Sequence, residues 1–323
     1  MPVGKNSKRR QNKRNGATVE NPKSKIQNRL GGDVAGVALT HPDRVIYPEQ
    51  GITKRELAQY YASIADWVMP QLENRLLTLV RCPQGAGEQC FYQRHAKENL
   101  GDTIHSIPAA KSKSAEGYIY LDSLAGLITL VQIGVLEIHT WGSRVENLER
   151  PDRLIFDLDP DASIGWAELR EAAETVRAQL TEIGLTPFVK TTGGKGLHVI
   201  APIVPKADWD CATELCRAIT EKIVRSNPER YVATMSKSRR VGKIFIDYLR
   251  NARTATAVAA YSTRARPGAP VSTPVTWKEL SRDVRSEFNV RNVPERLSRM
   301  RQDPWKNFES APIAVSRAML GKL

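Results

Sequence analysis

Residues 153–163 read RLIFDLDPDAS, a run of strand-forming apolar residues that ends in three acids. In a strand, side chains at i and i+2 point the same way, so Asp157 and Asp159 project from one face, about 7 Å apart. Like charges this close repel unless a loop solvates them or an arginine or divalent metal lies between them. The stretch is typical either of a strand end leading into a helix capped by Asp161 and Ser163, or of a metal site.

A second strand, KIFID at residues 243–247, ends in another acid, Asp247. An isolated aspartate on a strand is usually a surface residue or an ion-pair partner. Carboxylates from two strands can instead hold two metal ions roughly 4 Å apart, which clamp the attacking and leaving oxygens of a phosphoryl transfer. Magnesium and manganese are the ions that such oxygen ligands favour. Together, the two strands predict a metal site better than either does alone.

The stretch KTTGGKGLHV, which begins at Lys190, offers a place for phosphates. It is not a Walker A loop, because Lys195 is followed by Gly196 instead of Ser or Thr. Its glycines let the backbone come close to a ligand, while Thr192, Lys195 and His198 provide donors for a triphosphate. The alternative is a glycine-rich hairpin with no ligand.

The periodicity along the chain indicates an α+β (mixed α/β) fold, because strands and helices occur without strict alternation. The spacing of Thr53 and Glu56 is that of a capping box, which opens a helix ending near Val68 before Pro70. Ser163 is predicted to cap the long helix over 166–183. The remaining predictions are helices over 121–133 and 209–224, and strands over 76–82, 91–95, 136–141, 153–159, 186–192, 197–203 and 243–249.

The charge of the 323-residue chain is +13, which favours a polyanionic partner such as nucleic acid. Residues 1–30 hold nine Lys or Arg against Glu20 alone, a net +8 that leaves +5 for the other 293 residues. We therefore predict a basic disordered tail or linker over residues 1–36 and a folded domain over 37–323. No apolar run is long enough to cross a bilayer. The four cysteines show no dense pattern, so we expect a reducing, intracellular setting.

Linked motifs in the chain resemble the polymerase (primase-like) domain of bacterial ATP-dependent DNA ligase D, a repair enzyme of non-homologous end joining. That domain belongs to the archaeo-eukaryotic primase superfamily, and the resemblance spans about Leu39 to Trp277. It implies a primase-like catalytic core of antiparallel and mixed sheets flanked by helices. The motifs are LTHPDRVIYPEQGITKREL, FYQRH, LEIHTW, FDLDP, TTGGKGLH, MSKSRRVGKIFIDYLRN and AYSTRAR.

The resemblance also implies residue roles. The catalytic, metal-binding triad is Asp157, Asp159 and Asp247. A basic pocket for a DNA 5′-phosphate is formed by Arg44 and Lys54. Arg250 stands where relatives carry glutamine, and its role is open. The nucleotide-binding residues are Phe91, His139, Thr192, Lys195, His198, Arg240 and Arg264.

The function implied by the resemblance is a template-guided, and partly untemplated, nucleotidyltransferase that extends primer 3′-ends at gaps and double-strand breaks. Its cofactors are two divalent cations, Mn²⁺ or Mg²⁺. Its partners are DNA with gaps, overhangs or broken ends, ribo- and deoxyribonucleoside triphosphates, Ku and the ligase machinery, in a cytoplasmic, nucleoid-associated setting without membrane.

Two alternatives use the same residues: a metal-dependent nuclease, and a non-catalytic module that bridges DNA ends. The sequence contains neither the lysine motif of an adenylating ligase nor a His-rich phosphoesterase motif, so we do not expect this chain alone to seal nicks. Whether the chain is a stand-alone polymerase or a domain of a larger ligase is left open.

Overall fold

The computed structural model describes residues 32–96, 100–108 and 116–323, so most of the predicted tail over 1–36 lies outside the described residues. A hairpin formed by two strands of two residues each, Asp33–Val34 and Val37–Ala38, crosses the predicted boundary at residue 36. None of the helices in the described ranges is long and apolar enough to span a bilayer. Within those ranges the α-helices are α1 (Lys54–Ser63), α2 (Ala65–Leu72), α3 (Leu124–Gln132), α4 (Trp166–Glu182), α5 (Trp209–Ser226) and α6 (Val293–Arg299).

The first predicted helix is present but divided. The Thr53 hydroxyl accepts from the Glu56 N–H, and the Glu56 carboxylate accepts from the Thr53 N–H at 2.7 Å, as the capping box predicts. The helix breaks at Ile64, and α2 continues to Leu72 with Pro70 inside it. The predicted end before Pro70 is therefore wrong: proline removes only its own N–H from the ladder, and α2 ends two residues later.

The predicted cap of α4 is also wrong. The helix begins after Gly165, whose N–H donates to the Glu168 carboxylate at 2.8 Å. Ser163 lies outside the helix, where its hydroxyl donates to Asp161 at 2.7 Å. The two residues satisfy each other in a turn before the helix instead of binding its free N–H groups.

The strands in the described ranges form two larger sheets and three two-stranded pairs. Most of the unpredicted strands have two residues, too few to show a period. In chain order the strands are β1 (Asp33–Val34), β2 (Val37–Ala38), β3 (Val45–Tyr47), β4 (Ile52–Thr53), β5 (Leu77–Arg81), β6 (Phe91–Gln93), β7 (His105–Ile107), β8 (Tyr118–Tyr120), β9 (Val135–Thr140), β10 (Arg153–Pro160), β11 (Phe188–Thr191), β12 (Leu197–Val204), β13 (Tyr231–Val232), β14 (Ile244–Asp247), β15 (Ala257–Val258), β16 (Pro274–Val275) and β17 (Ile313–Ala314).

The central sheet has the order β13-β14-β10-β12-β11-β16, and β17 pairs with β12. Strand β10 is antiparallel to both neighbours, and α4 and α5 pack against it. Leu154, Phe156 and Leu158 are fully buried in the core, so the strand period turns Asp157 and Asp159 to the opposite face. The mixed α+β fold predicted from the sequence is confirmed.

The second sheet has the order β15-β9-β5-β6 and is antiparallel throughout. Helix α3 packs on β9, and α1 packs on α3. The segment after β14 joins the two sheets, because Asn251 bonds both backbone groups of Ile155 on β10, and the Ser262 hydroxyl accepts from Ile138 of β9 at 2.8 Å. This connection brings the face with the acids close to β9.

A disulfide joins Cys82 and Cys90, with sulfurs 2.02 Å apart. The reducing, intracellular setting expected from the sequence does not predict this bond. The cause is register: Arg81 of β5 lies opposite Phe91 of β6, so the flanking cysteines are the next facing pair toward the turn. Cys211 and Cys216 are free and buried on α5.

Candidate active site

The sheet register gathers four titratable residues from four strands of the central sheet. Asp157 lies opposite Asp247 on one side and His198 on the other, and His198 lies opposite Lys190. Residues paired across strands point to the same face, so Asp247, Asp157, His198 and Lys190 form one row. Asp159 lies on the same face, two positions along β10.

Arg250 bridges two of these carboxylates. Its Nε lies 3.2 Å from Asp157 Oδ2 and 3.2 Å from Asp247 Oδ2. Arg250 belongs to a 3-10 turn, Leu249–Asn251, directly after β14. The side chain that the sequence left without a role is thus the cation between the two predicted metal ligands.

Asp159 is paired with two other predicted site residues. Lys195 Nζ lies 3.3 Å from Asp159 Oδ1, and Arg240 Nη1 lies 3.4 Å from Asp159 Oδ2. Lys195 also donates to the Pro160 carbonyl, so the glycine-rich loop folds back over the end of β10. Every predicted metal ligand therefore contacts a cationic side chain.

The two facing aspartates have unequal proton affinities. Burial alone would raise the pKa of Asp157, but His198 and Arg250 hold it below its usual value. Burial and the nearby charge of Asp157 raise the pKa of Asp247, against the effect of Arg250. Two carboxylates that share a site in this way gain most from a cation placed between them.

His198 and Lys190 complete the row, and both side chains are buried. Burial, with the neighbouring charge of Lys190, lowers the pKa of His198 to about 4, so the ring is neutral at pH 7. Its Nε2 lies 3.3 Å from Asp157 Oδ1. Burial and Arg264 lower the pKa of Lys190, whose Nζ donates to the Ser272 hydroxyl at 2.5 Å.

A buried glutamate, Glu137, positions two predicted nucleotide-binding residues. Its Oε1 lies 3.0 Å from both His139 Nε2 and Arg264 Nε, and its Oε2 accepts from the Ala265 N–H at 3.0 Å. Burial would raise its pKa, but His139 and Arg264 outweigh burial and lower it to about 2. Arg264 also donates to the Thr192 carbonyl, so Glu137 links β9 to the glycine-rich loop.

These groups surround a cavity of about 340 Å³ between the two sheets. The acids occupy one wall, and the glycine-rich loop and the arginines of the β14–β16 segment occupy the others. Such a mixture suits a ligand that carries both metal ions and phosphates. Among the lining residues are Asp157, Asp159, Thr192, Lys195, His139 and Arg264.

The donor set fits hard divalent cations, because Asp157, Asp159 and Asp247 offer only carboxylate oxygens. Within the described part of the chain, no three His, Cys, Asp or Glu residues converge tightly enough to hold an ion. The three carboxylates form ion pairs with cationic side chains instead. The chemistry of these ligands suits a divalent cation, while in this structure side-chain cations contact the same carboxylates.

Comparison with known proteins identifies the family. The sequence profile of a family described as LigD, primase-polymerase domain, matches residues 53–305. The chain belongs to this family. It is therefore a nucleotidyltransferase of the primase-polymerase type, as the motifs predicted.

Relatives of the LigD family share most of this chain. The "Multifunctional non-homologous end joining protein LigD" of Pseudomonas aeruginosa is 40% identical over 291 residues, which cover 90% of this chain and 35% of that protein. The "Bifunctional non-homologous end joining protein LigD" of Bacillus subtilis is 25% identical over 289 residues, 88% of this chain and 46% of that protein. The chain thus spans a third to a half of the length of these relatives.

A solved structure supports the same assignment. The "Polymerase Domain from Mycobacterium tuberculosis Ligase D in complex with DNA" superposes with a TM-score of 0.80 at 30% identity, covering 85% of this chain and 99% of that one. The predicted primase-like core is confirmed at the level of the fold.

Two predicted residues of this LigD-family chain, Arg44 and Lys54, do not line the cavity. Lys54 is buried, and its Nζ donates to the Thr40 carbonyl at 2.8 Å and to the Gln132 carbonyl at 3.2 Å. Burial and the charge of Arg44 lower the pKa of Lys54. Arg44 is more exposed and donates to the Gln84 side chain.

Phe91 also lies apart from the cavity lining. It is 44% exposed on β6, beside Tyr92, which is 72% exposed. The Arg81 guanidinium lies 5.4 Å from the Phe91 ring centre. An exposed aromatic pair on a sheet edge can stack with bases, as the sequence predicted for Phe91.

The sequence interpretation missed Glu137 and the position of Lys190 in the row, and it placed Arg266 in a basic run without assigning it to the site. Glu137 precedes His139 by two positions in LEIHTW, so the strand period alone places them on one face. Arg266 lines the cavity, and a Cβ on Gly194 would lie 3.0 Å from its Nη1. That close approach depends on the fold and leaves no trace in the local sequence.

Proposed function

We propose that this chain extends primer 3′-ends with ribo- or deoxyribonucleotides at gaps and broken DNA ends, guided by a template and in part without one. The observation that carries the proposal is the cavity in which Asp157 and Asp159 face the glycine-rich loop, with Asp247 paired to Asp157 on the neighbouring strand. Carboxylates for metal ions and cations for phosphates are both needed for phosphoryl transfer.

The three aspartates would hold two divalent cations, Mn²⁺ or Mg²⁺. When bound, such ions activate the attacking hydroxyl and stabilise charge on the phosphoryl oxygens. The antiparallel register places Asp157 and Asp247 directly opposite each other, so both can contribute oxygens to one ion. Asp159, two positions along, supplies the separate oxygens that a second ion requires.

The chain's own cations would bind the triphosphate. Lys195 and Arg264 lie at the cavity wall, and the Arg264 guanidinium donates a hydrogen bond to the Thr192 carbonyl. Fixed positive groups around the transferring phosphate lower the barrier because they need no reorganisation as charge develops. Arg240, held against Asp159, is placed to neutralise the same region.

A hydrolytic site would use the acids but not this number of cations. Lys195, Arg264 and Arg266 all line the cavity, and a triphosphate carries several negative charges for them to neutralise. A water nucleophile has no such need. The charge of the cavity therefore favours nucleotide transfer over nuclease activity.

The 5′-phosphate pocket is proposed around Arg44, with Lys54 as its support. The Lys54 ammonium already donates to the chain at the Thr40 and Gln132 carbonyls, whereas the Arg44 guanidinium faces the exposed side. A phosphate would accept from Arg44 through two parallel bonds and feel Lys54 as a nearby charge.

DNA is proposed as the partner from the printed description of the Mycobacterium tuberculosis polymerase domain. Ku and the ligase machinery are proposed from the names of the end-joining relatives. The net charge of +13 supports an extended anionic partner.

The test is an extension assay on a gapped duplex with a 5′-phosphate, a labelled primer, Mn²⁺ and either ribo- or deoxyribonucleoside triphosphates. A longer primer supports the proposal. A shortened primer would show a nuclease, and a shifted but unchanged primer would show a bridging module.

Asp157→Ala and Asp159→Ala should abolish extension while DNA binding persists, because the metal ligands are lost and the basic surface is not. Asp161→Ala is the matched control, since Asp161 follows the same strand end but its carboxylate accepts from the N–H and hydroxyl of Ser163 and contacts none of the site cations named above. Extension by Asp157→Ala at the wild-type rate would contradict the metal assignment.

A further inference from the structure

Arg250 lies on a turn that is fixed by hydrogen bonds, and its side chain is partly exposed to the cavity. Asn251 fixes the turn through bonds to the Ile155 N–H at 2.8 Å and carbonyl at 2.7 Å. The Asp247 carboxylate accepts from the Leu249 N–H at 2.9 Å. The Arg250 side chain is 39% exposed and lines the cavity. The backbone thus aims the guanidinium at the site, while the open cavity gives it room to leave.

The guanidinium occupies the oxygens that a metal ion needs. Its Nε is 3.2 Å from one oxygen of Asp157 and 3.2 Å from one of Asp247, the pair that faces across the strands. A divalent ion bound between the same carboxylates would require oxygens at about 2.0–2.6 Å, so ion and guanidinium cannot share them.

We propose that Arg250 is a resident counter-ion that competes with the divalent cation for Asp157 and Asp247, and so sets the metal affinity of the site. The inference rests on the proposed function, because that function assigns the two carboxylates to metal. Without metal, Arg250 stabilises the facing acids, and metal binding must displace it into the cavity. A third contact, from Nη1 to the Thr256 carbonyl at 3.3 Å, marks the side toward which it can turn.

The other cations of the site do not share this position. Arg240 and Lys195 contact Asp159 but neither Asp157 nor Asp247. His198 touches Asp157 Oδ1, on the oxygen that Arg250 does not contact. Removal of Arg250 therefore frees the bridging oxygens, whereas removal of the others does not.

The test is a titration of the full chain with Mn²⁺, without DNA or nucleotide. Binding is measured from the electron paramagnetic resonance signal of the Mn²⁺ that remains free. Arg250→Gln keeps a polar side chain of similar length without the charge. We expect it to bind Mn²⁺ about three- to tenfold more tightly, the size of one partly exposed ion pair. Arg250→Lys, which restores a cation, should remain within about twofold of the wild type.

The matched control is Arg253→Gln, three residues further along, where the arginine pairs with Glu149 at 2.7 Å outside the cavity. Its Mn²⁺ affinity should equal that of the wild type. A second measurement is thermal unfolding. Without metal, Arg250→Gln should melt below the wild type because its two acids repel, and Mn²⁺ should raise its melting temperature more.

The outcomes separate the two proposals. If Asp157→Asn removes Mn²⁺ binding while Arg250→Gln leaves the affinity unchanged or weaker, Arg250 is no competitor and only this inference fails. If Asp157→Asn leaves Mn²⁺ binding intact in the wild type, the carboxylates are not the metal site and the proposed function loses its metal assignment. Tighter binding by Arg250→Gln that Asp157→Asn abolishes supports both.

Discussion

At the residue scale, the buried carboxylate of Glu137 holds several residues of the site in position, although the proposed reaction does not require it to contact the reacting groups. It accepts from His139 and from the Ala265 N–H and forms an ion pair with Arg264, on a strand that does not carry the acids. Because all its partners are on the cavity side of β9, their positions depend on a single carboxylate. A buried pair broken on one side leaves an uncompensated charge, which is costly.

Glu137→Gln should therefore weaken nucleotide use and stability together. The amide keeps the shape but loses the charge that holds Arg264, so we expect kcat/KM for the nucleotide to fall about tenfold and stability by about 2 kcal/mol. Steady-state extension and urea unfolding measure these. Glu149→Gln, which loosens an exposed pair with Arg253, is the control and should change neither.

The difference in stability between the wild type and Glu137→Gln should also depend on pH. Folding lowers the pKa of Glu137 from 4.5 to about 2. Its contribution to stability is thus complete above about pH 4.5 and is lost as the pH falls toward 2. The stability gap between wild type and Glu137→Gln should narrow over that range. A gap that is constant from pH 7 to pH 3 would contradict the ion-pair role.

At the element scale, the β11–β12 hairpin fixes the phosphate-binding loop against the strand that carries the acids. Gly193 has φ +66°, which favours glycine, and Gly196, directly before β12, lies against the backbone of β10. A Cβ on Gly196 would lie 2.3 Å from the Leu158 carbonyl oxygen, between Asp157 and Asp159. The loop and the acids are therefore joined through backbone contact as well as through Lys195.

Gly196→Ala should push β12 away from β10 at the acids. The clash is with backbone that cannot rotate aside, so we expect a loss of about 1–3 kcal/mol and a fall in extension beyond what unfolding explains. Differential scanning calorimetry measures the loss of stability. Extension assayed at a temperature about 20 °C below the melting midpoint of each variant measures the activity of the folded protein. Gly142→Ala is the control, because its Cβ would meet nothing closer than 3.6 Å. Equal effects of both substitutions would show that the approach at Gly196 is not special.

The same elements show how much of this molecule the sequence predicts. Strands β10, β12 and β14, the helices and the Thr53 capping box follow from local period and spacing. The pairing of Asp157 with Asp247 and with His198 does not, because the register joins residues that are about 40 to 90 positions apart only through the fold. The motif resemblance named Asp157, Asp247 and His198 as site residues but did not name Lys190. Neither the local periodicity nor the motif resemblance predicted that Arg250 lies between the acids, because its position depends on the hydrogen bonds of Asn251.

At the scale of the whole molecule, the N-terminal part supports the segment that carries Arg264. Tyr47 donates to the Arg264 carbonyl at 3.0 Å, and Tyr60 donates to the Tyr261 carbonyl at 2.9 Å. Burial raises the pKa of both tyrosines, so they remain neutral donors at any ordinary pH. Tyr47 follows Arg44 by three residues, which ties the proposed 5′-phosphate pocket to the wall of the cavity.

Arg44→Ala should remove the preference for a 5′-phosphate without slowing chemistry on a duplex that lacks one. The exposed Arg44 guanidinium is the donor of the pocket that faces solvent, and losing one phosphate contact should reduce the slope of log affinity against log salt by about 1. Fluorescence anisotropy of gapped duplexes with 5′-phosphate or 5′-hydroxyl, at several salt concentrations, gives both quantities.

The controls for Arg44→Ala are its neighbours on α1. Arg55 pairs with exposed Asp43 at 3.1 Å, so Arg55→Ala should leave the 5′-phosphate preference unchanged. Lys54→Ala should lower the melting temperature as well as the preference, because three hydrogen bonds to Thr40 and Gln132 are lost. If the preference survives in Arg44→Ala but disappears in Lys54→Ala at a temperature where that variant is folded, then the buried lysine binds the phosphate directly and its bonds to the chain must open when DNA arrives.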